Sequence, residues 1–438
     1  MTQAADLENA VYFDQGVHAI SETQLDRNAL KIVNQLNNAG FDAYLVGGCI
    51  RDLLLGQTPK DFDIATNARP EEISALFRNC RLIGRRFRLA HIHFGRDIIE
   101  VATFRGAPER ERLTDATGQV LEDNHYGSMA EDALRRDFTI NALYYDVRTG
   151  RVIDHIGAME DIERRVIRMI GDPASRYTED PVRMLRAARL AAKLDMPLEA
   201  QTESAIAPLR EHLRGVPAAR LFDETQKLFM TGHGVKSFET MQHYGLLEEL
   251  FPDVVRILQH PNRAFADYAQ KLMRVALANT DARLAEGKPV TIAFLFAAFL
   301  WPVYQLQYQG LLKERDNWHS AMHEAVDTVH IAAAERVSIP VRLRSMIREI
   351  WTLQARFELA NGSARKMRSL LGHPRFRAAY DFLLIRHEAG EPLADMVAWW
   401  TKAQEGMEFV PAARDNHRDA PRSRGPMRRR RSRNRSRD

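Results

Sequence analysis

Two carboxylates one residue apart, Asp61 and Asp63, follow a double glycine, Gly47-Gly48, in a chain of 438 residues. The segment reads Leu45-Val46-Gly47-Gly48-Cys49-Ile50-Arg51-Asp52-Leu53-Leu54-Leu55-Gly56, then Pro59-Lys60-Asp61-Phe62-Asp63-Ile64. On a strand, residues i and i+2 share a face, so this spacing predicts two carboxylates side by side. Such a pair repels itself until a cation lies between its members. Glycine lets backbone N–H groups approach phosphate oxygens closely, since no Cβ intervenes. A helix starting at that turn adds its N-terminus, and Arg51 in its first turn adds a guanidinium fork. Together these residues call for a nucleoside triphosphate carried with magnesium. The competing reading is a structural glycine turn and a capped helix beside an unrelated acidic turn.

Other residues carry a choice of readings. Glu100 sits in Ile98-Ile99-Glu100-Val101-Ala102, an apolar strand pattern. A carboxylate there needs a cation or hydrogen bonds, so it is either a third metal carboxylate or an edge position paired with an arginine. Arg135-Arg136-Asp137 precedes the apolar run Phe138-Thr139-Ile140. This is either helix-start electrostatics, or Arg136 on the triphosphate or base and Asp137 on the ribose or metal site; spacing does not choose. Asp180 before Pro181 is a helix cap. Asp180 and Arg183 also face the same way across one turn, and an acceptor beside a donor fork can read the Watson–Crick edge of a base. Arg85, Arg86 and Arg88 surround Phe87, a composition suited to phosphate contact and base stacking on a single strand. His91 reads as a structural histidine, and Trp399-Trp400 as core. No zinc-protease helix, nucleophile elbow or Walker loop is present, and nothing points to covalent catalysis.

The elements that must position these residues form an α+β chain. A helix over 23–38 ends at Gly40, a strand over 43–46 runs into the glycine turn, and a short helix over 49–55 stops at Gly56. A second strand covers 61–65. Pro70 opens a helix to about residue 78, and a hairpin turns at Gly95-Arg96. After Ile156 only helical periodicity remains, with helices over 181–194, 201–213, 218–230 and 234–243 and more to about Trp400. This gives a flexible leader (1–24), a small mixed α/β catalytic head (25–155), a helical neck (156–235), a helical body (236–405) and a disordered basic tail (406–438).

Composition bounds the rest. A hydrophobic fraction of 45% and a charged fraction of 27% are those of an ordinary globular protein. Two cysteines exclude a disulfide framework and a cysteine-rich zinc site, and fit a reducing cytoplasm. Met1 to Asp14 lacks a basic region followed by an apolar run, so no signal peptide is expected. The longest apolar run, Ile292 to Tyr304, is shorter than the roughly 20 residues that span a bilayer, and predicts a buried helix. Eleven arginines against three aspartates give residues 414–438 a charge of +8, which leaves −4 for the remainder of a chain at +4. Such a tail binds polyanions with little sequence preference.

These motifs carry a resemblance. LVGGCIRDLLLG (45–56), KDFDIAT (60–66), EVATFR (100–105), RRDFTINALYYD (135–146) and EDPVRMLRAARLAAKL (179–194) resemble the class II nucleotidyltransferases that extend RNA 3′ ends. That superfamily includes bacterial poly(A) polymerases and CCA-adding enzymes. RNCRLIGRRFRLAHIHFG (78–95), LGHPRFRAAYDFLLIRHEAG (371–390) and the Arg-rich tail are similar to the poly(A) polymerase branch. The stretch between Arg105 and Asp132 departs from enterobacterial members in being shorter.

The resemblance implies template-independent addition of AMP from ATP to RNA 3′ ends, with release of pyrophosphate and a link to RNA decay. It implies that Asp61 and Asp63 hold two magnesium ions, with manganese as an alternative. Asp137 would be the third catalytic acid, and Glu100 falls where the wider superfamily places a metal carboxylate. Gly47, Gly48 and Arg51 would hold triphosphate, while Glu179, Asp180 and Arg183, with Arg136 nearby, would read the base. The neck would serve nucleotide recognition and RNA binding, and the body RNA binding. RNA chaperones or decay proteins are the expected protein partners. The rival readings are a CCA-adding enzyme with the same metals and a non-catalytic RNA-binding protein.

Overall fold

The computed structural model describes residues 10–405 apart from 85–87, 107–124, 315–316 and 361–362. The head is one eight-stranded sheet: β1 (Val11–Phe13), β2 (Ala43–Val46), β3 (Asp63–Thr66), β4 (Cys80–Ile83), β5 (Leu89–Phe94), β6 (Asp97–Thr103), β7 (Leu143–Asp146) and β8 (Arg151–Asp154). The strands lie in the order β1-β8-β7-β2-β3-β6-β5-β4. Only β3 and β6 run parallel among the ladders of this sheet. The helix Pro70–Leu76 and the β4–β5 hairpin make the crossover that a parallel pair requires.

Alternation along these strands sorts the two faces. Leu45, Ile64, Ala90, Ile92, Val101, Tyr145 and Val152 belong to the main core, together with Ala29, Ile32, Val33 and Leu36 of the helix Arg27–Asn38. Tyr44, Val46, Ala65, Tyr144 and Ile153 point the other way into a smaller cluster. The polar residues Asp63, Glu100 and His91 fall on this second face by the same period of two. The paired positions Tyr144–Val46–Asp63–Glu100–His91 thus form one row across five strands.

Three expectations are corrected. First, the chain ahead of residue 25 is not all loose: β1 pairs antiparallel with β8, and His18 Nε2 hydrogen-bonds with the Gly150 carbonyl at 3.1 Å. Second, Asp61 is not on a strand. β2 ends with Val46 opposite Asp63, and beyond it the chain turns away at Gly47, so Asp61 has no ladder partner. Third, the segment 201–213 is broken into Ala200–Ser204, Ile206–Leu209 and a 3₁₀ stretch Arg210–Gly215. Pro208 lacks the N–H that a continuous helix would use there.

The rest is helical, as the periodicity predicts. The run at 292–304 lies inside the helix Ile292–Glu314, where Leu295, Phe296, Phe299, Leu300 and Trp301 are all buried. A helix apolar on every side belongs at the centre of a body. Among the described residues no helix is long and apolar enough to cross a membrane. Trp400 is fully buried in a separate core with Phe357 and Phe376. The Arg-rich tail lies outside the described residues.

Candidate active site

A cleft of about 630 Å³ opens on the second face of the sheet, between the head and the helices Val182–Leu194 and Ala218–Phe229. On the head side it is lined by Gly47, Gly48, Arg51, Asp63, Glu100 and Arg136. On the neck side it is lined by Asp180, Arg183, Arg186, Arg189, Lys193, Arg220 and Glu224.

The parallel pairing of β3 with β6 sets Glu100 directly beside Asp63. Water reaches Asp63, yet it lies deep in the cleft. Lost solvation, then repulsion from Glu100 and from Asp61, push its carboxyl up to about 6, against a smaller pull from Arg136. Asp61, exposed just before β3, is therefore close enough to act on it. Glu100 is not at an edge, since β6 is flanked by β3 and β5. His91 Nε2 lies 3.5 Å from Glu100 Oε2.

The turn upstream holds cations over the glycines. Gly47 adopts φ 83° and ψ −132°, a conformation only glycine takes readily. A Cβ at Gly47 would lie 3.3 Å from Arg136 Nη1, and one at Gly48 would lie 3.4 Å from Arg51 Nη2. Arg51 is buried. It donates to Asp52 Oδ1 from Nε at 2.8 Å and from Nη2 at 2.5 Å, and to Asn141 Oδ1 from Nη1 at 2.5 Å. Asp132 Oδ2 accepts from Arg136 Nε and Nη2 at 3.1 and 3.0 Å and from the Tyr144 hydroxyl at 2.6 Å. Both guanidinium groups are thus fixed before any ligand arrives, which removes an ordering cost from phosphate binding. Gly47→Ala is expected to cost about 1–3 kcal/mol of stability, from the backbone strain alone. Its displacement of Arg136 should also raise the KM for nucleotide. Thermal melts and initial-rate kinetics check the two effects separately.

Asp137, expected among the catalytic acids, has both oxygens occupied. Oδ1 accepts from the Phe138 N–H at 2.8 Å and from Asn141 Nδ2 at 3.2 Å. Oδ2 accepts from Arg186 Nε at 2.7 Å and Nη2 at 2.5 Å. Burial would raise its carboxyl, but Arg186 and these hydrogen bonds more than offset that and hold it at about 2. Through Arg186 it joins the head to the neck helix Val182–Leu194. Two other ties act beside it: Lys193 Nζ donates to Asp52 Oδ2 at 3.0 Å, and Arg176 Nη2 donates to the Arg135 and Arg136 carbonyls at 2.9 and 2.6 Å.

Of the expected base readers, Asp180 and Arg183 line the cleft, whereas Glu179 stands behind them. Glu179 Oε2 accepts from Arg176 Nη1 at 2.9 Å and Arg183 Nη1 at 2.7 Å, so it holds Arg183 in place. Asp180 Oδ1 caps the next helix through the Val182 N–H at 3.2 Å, and Oδ2 accepts from Arg220 Nη2 at 2.6 Å. Arg88 is exposed and pairs with Glu71 Oε1 at 2.7 Å. Arg85 and Arg86 lie outside the described residues. The sequence reading missed Arg186, Arg189, Lys193 and Glu224. A signal was present, because 183, 186, 189 and 193 repeat at near-helical spacing along one helix.

Among the described residues no three His, Cys, Asp or Glu side chains close on one point. Magnesium is satisfied with one or two carboxylates, waters and substrate phosphates, whereas zinc wants a fuller cage of nitrogen or sulfur. Adjacent carboxylates that repel each other, beside cations placed for phosphate, fit magnesium.

A mixed sheet joined to a helical neck, with paired carboxylates beside cations fixed at a glycine turn, is the layout of a nucleotidyltransferase. Residues 43–168 match the family model "Poly A polymerase head domain", residues 195–258 match "Probable RNA and SrmB- binding site of polymerase A", and residues 314–437 match "Polymerase A arginine-rich C-terminus". Poly(A) polymerase I of Salmonella typhi is 43% identical over 94% of this chain and 91% of its own length. The CCA-adding enzyme of Lactobacillus johnsonii is 36% identical over 51% of this chain and 54% of its own. A solved tRNA-processing enzyme shares the fold, with a TM-score of 0.61 and 22% identity over 89% of this chain and 94% of that one. The chain belongs to the bacterial poly(A) polymerase I family.

Proposed function

We propose that Asp61, Asp63 and Glu100 hold the metal ions with which this polynucleotide adenylyltransferase adds AMP from ATP to RNA 3′ ends without a template. Two magnesium ions, or manganese, bound there would lower the pKa of the RNA 3′-hydroxyl and neutralise triphosphate charge. Gly47, Gly48, Arg51 and Arg136 bind and orient the triphosphate. The 3′-oxygen bonds to the α-phosphorus, the bond from that phosphorus to the α–β bridging oxygen breaks, the hydroxyl proton passes to water, and pyrophosphate leaves. Asp180 and Arg183 read the base, with Glu179 steadying Arg183. Asp137 holds Arg186 and so keeps the neck seated on the head. Arg85, Arg86 and Arg88 and the basic tail contact RNA. We place the enzyme in the cytoplasm, with RNA chaperones or decay proteins as partners. We divide the chain into a head, a neck for nucleotide recognition, an RNA-binding body and a tail. The observation that supports this reading is the pairing of Asp63 with Glu100 on the same sheet face as the cations at the glycine turn.

The test offers magnesium and each nucleoside triphosphate separately, with either a generic RNA or a tRNA lacking its CCA end. Long tails from ATP alone on the generic RNA are the expected result. Addition that needs CTP and stops after three nucleotides would assign the chain to the CCA-adding reaction instead.

A further inference from the structure

His91 has a partner that a merely structural histidine does not need. β5 pairs with β6 so that His91 lies directly opposite Glu100, on the face of the sheet that bears the cleft. On the other flank its register partner is Arg81 of β4. The imidazole Nε2 lies 3.5 Å from Glu100 Oε2, and the two side chains are 23% and 42% exposed. At that distance attraction acts without a tight hydrogen bond. Among the described residues no other basic side chain pairs with Glu100, and no other carboxylate pairs with His91. A polar pair so open to water contributes little to stability. The two strands are in any case joined by their ladder.

What the pair supplies is direction. The neighbour of Glu100 on its opposite flank is Asp63, a like charge. Repulsion favours the Glu100 rotamers that turn away from Asp63, and a half-exposed glutamate loses much side-chain freedom when it is held in one position. An N–H reaching from β5 selects the rotamers in which one oxygen is engaged on that side, and leaves the other oxygen for the side where Asp63 stands. Carboxylates that ligate metals are themselves commonly oriented by such an outer hydrogen-bond partner. We propose that His91 is a positioning residue for metal binding: by holding one Glu100 oxygen from β5, it sets that carboxylate beside Asp63 before the metal arrives. The imidazole acts here through an N–H at Nε2. This rests on Glu100 being a metal carboxylate, as proposed above.

The experiment measures metal binding rather than tailing. Full-length protein is titrated with Mn²⁺ alone, an ion that suits carboxylate ligands, and free Mn²⁺ is read from its electron paramagnetic resonance signal. Wild type, His91→Leu, His91→Gln, Glu100→Gln and the double variant H91L/E100Q are compared at the sites that Asp63→Asn removes. Unfolded protein lowers the number of sites and not the dissociation constant, so a variant that folds poorly is told apart from one that binds poorly. Leucine fills the strand position without an N–H. His91→Leu should weaken Mn²⁺ binding about tenfold, the low end of what outer partners contribute, because the contact is long. Glutamine carries an N–H at a similar reach, so His91→Gln should recover most of the affinity. Glu100→Gln should weaken binding at least as much as His91→Leu, and the double variant should fall no further. If Glu100→Gln weakens binding and His91→Leu does not, His91 is merely structural and the inference fails while the metal carboxylate stands. His91→Gln binding as weakly as His91→Leu overturns it too, because the effect then belongs to the ring and not to its N–H. So does a double variant well below Glu100→Gln, since His91 then acts apart from Glu100. Unchanged affinity in Glu100→Gln removes the metal carboxylate and the inference together.

Discussion

Asp63→Asn is expected to abolish adenylate addition and, at the same time, to make the metal-free protein harder to unfold. The two effects have one origin. Asp63 sits deep in the cleft between Glu100 and Asp61, and its carboxyl is pushed up to about 6. An unfolded aspartate titrates near about 3.9. Between those values the native state holds the extra proton, so stability falls as pH rises from about 4 to about 6 and stays lowered above that. The about 3 kcal/mol implied by a two-unit shift overstates the effect, because water reaches the group; on the order of 1 kcal/mol is expected. Asparagine keeps the shape without the charge and escapes this penalty. In chelator at pH 7.5 the variant should melt above wild type, and the gap should close toward pH 4. Magnesium should stabilise wild type and leave the variant unmoved, since a ligand stabilises only the state that binds it. Losing several kcal/mol of charge stabilisation should cut tailing by about three powers of ten. A variant that melts below wild type in chelator and still makes tails would remove Asp63 from the metal site.

How much of this was legible depends on how local the determining contacts are. The strand Ala43–Val46, the glycine turn and the hairpin around Gly95-Arg96 follow from period-two apolar spacing and glycine, all within a few residues. Asp-x-Asp has the period of a strand, which predicts Asp61 on one. What ended that strand at Asp63 was the length of its partner β2, which the Asp-x-Asp segment does not contain. Glu100 admits two readings from its own segment for the same reason. Only the parallel pairing of β3 with β6, across a helix and a hairpin, decides that it stands beside Asp63. The leader looked loose because β1 has just three residues and its partner, β8, is the last strand of the head. Pro208, by contrast, is a local signal, and it is enough to break the helix expected over 201–213. Arg186, Arg189 and Lys193 could be placed on one helix face from spacing. Which carboxylates they meet is a tertiary matter, settled for Arg186 by an aspartate 49 residues away.

That aspartate supplies a prediction opposite in sign to the first. Asp137→Asn is expected to destabilise the metal-free protein at neutral pH and to leave magnesium binding intact. The Asp137 side chain is 11% exposed, and both its oxygens are engaged by Arg186, Asn141 and the Phe138 N–H. Its carboxyl is held at about 2, below its unfolded value. A depressed carboxyl contributes stability that is present above about pH 4 and lost as pH falls through about 2. A shift near two units corresponds to about 2–3 kcal/mol. Arg186 keeps some access to water, with 35% of its side chain exposed, so losing its counter-charge costs less than breaking a fully buried pair. About 2 kcal/mol is expected, read as a lower melting temperature at pH 7.5. Activity should fall because the neck helix carrying Arg183 and Arg186 is less firmly seated on the head, with only the Lys193 and Arg176 ties described above left beside it, and substrate misplaced by even a small shift reacts more slowly. Magnesium with ATP should still raise the melting temperature of the variant. A metal ligand at this position would behave like Asp63: its replacement would spare or raise metal-free stability and erase the magnesium effect. Melts of both asparagine variants, with and without magnesium, therefore decide whether Asp137 stands beside Asp63 at the metal. The row of the sheet that pairs Asp63 with Glu100, and the arginine that occupies Asp137, both favour Glu100.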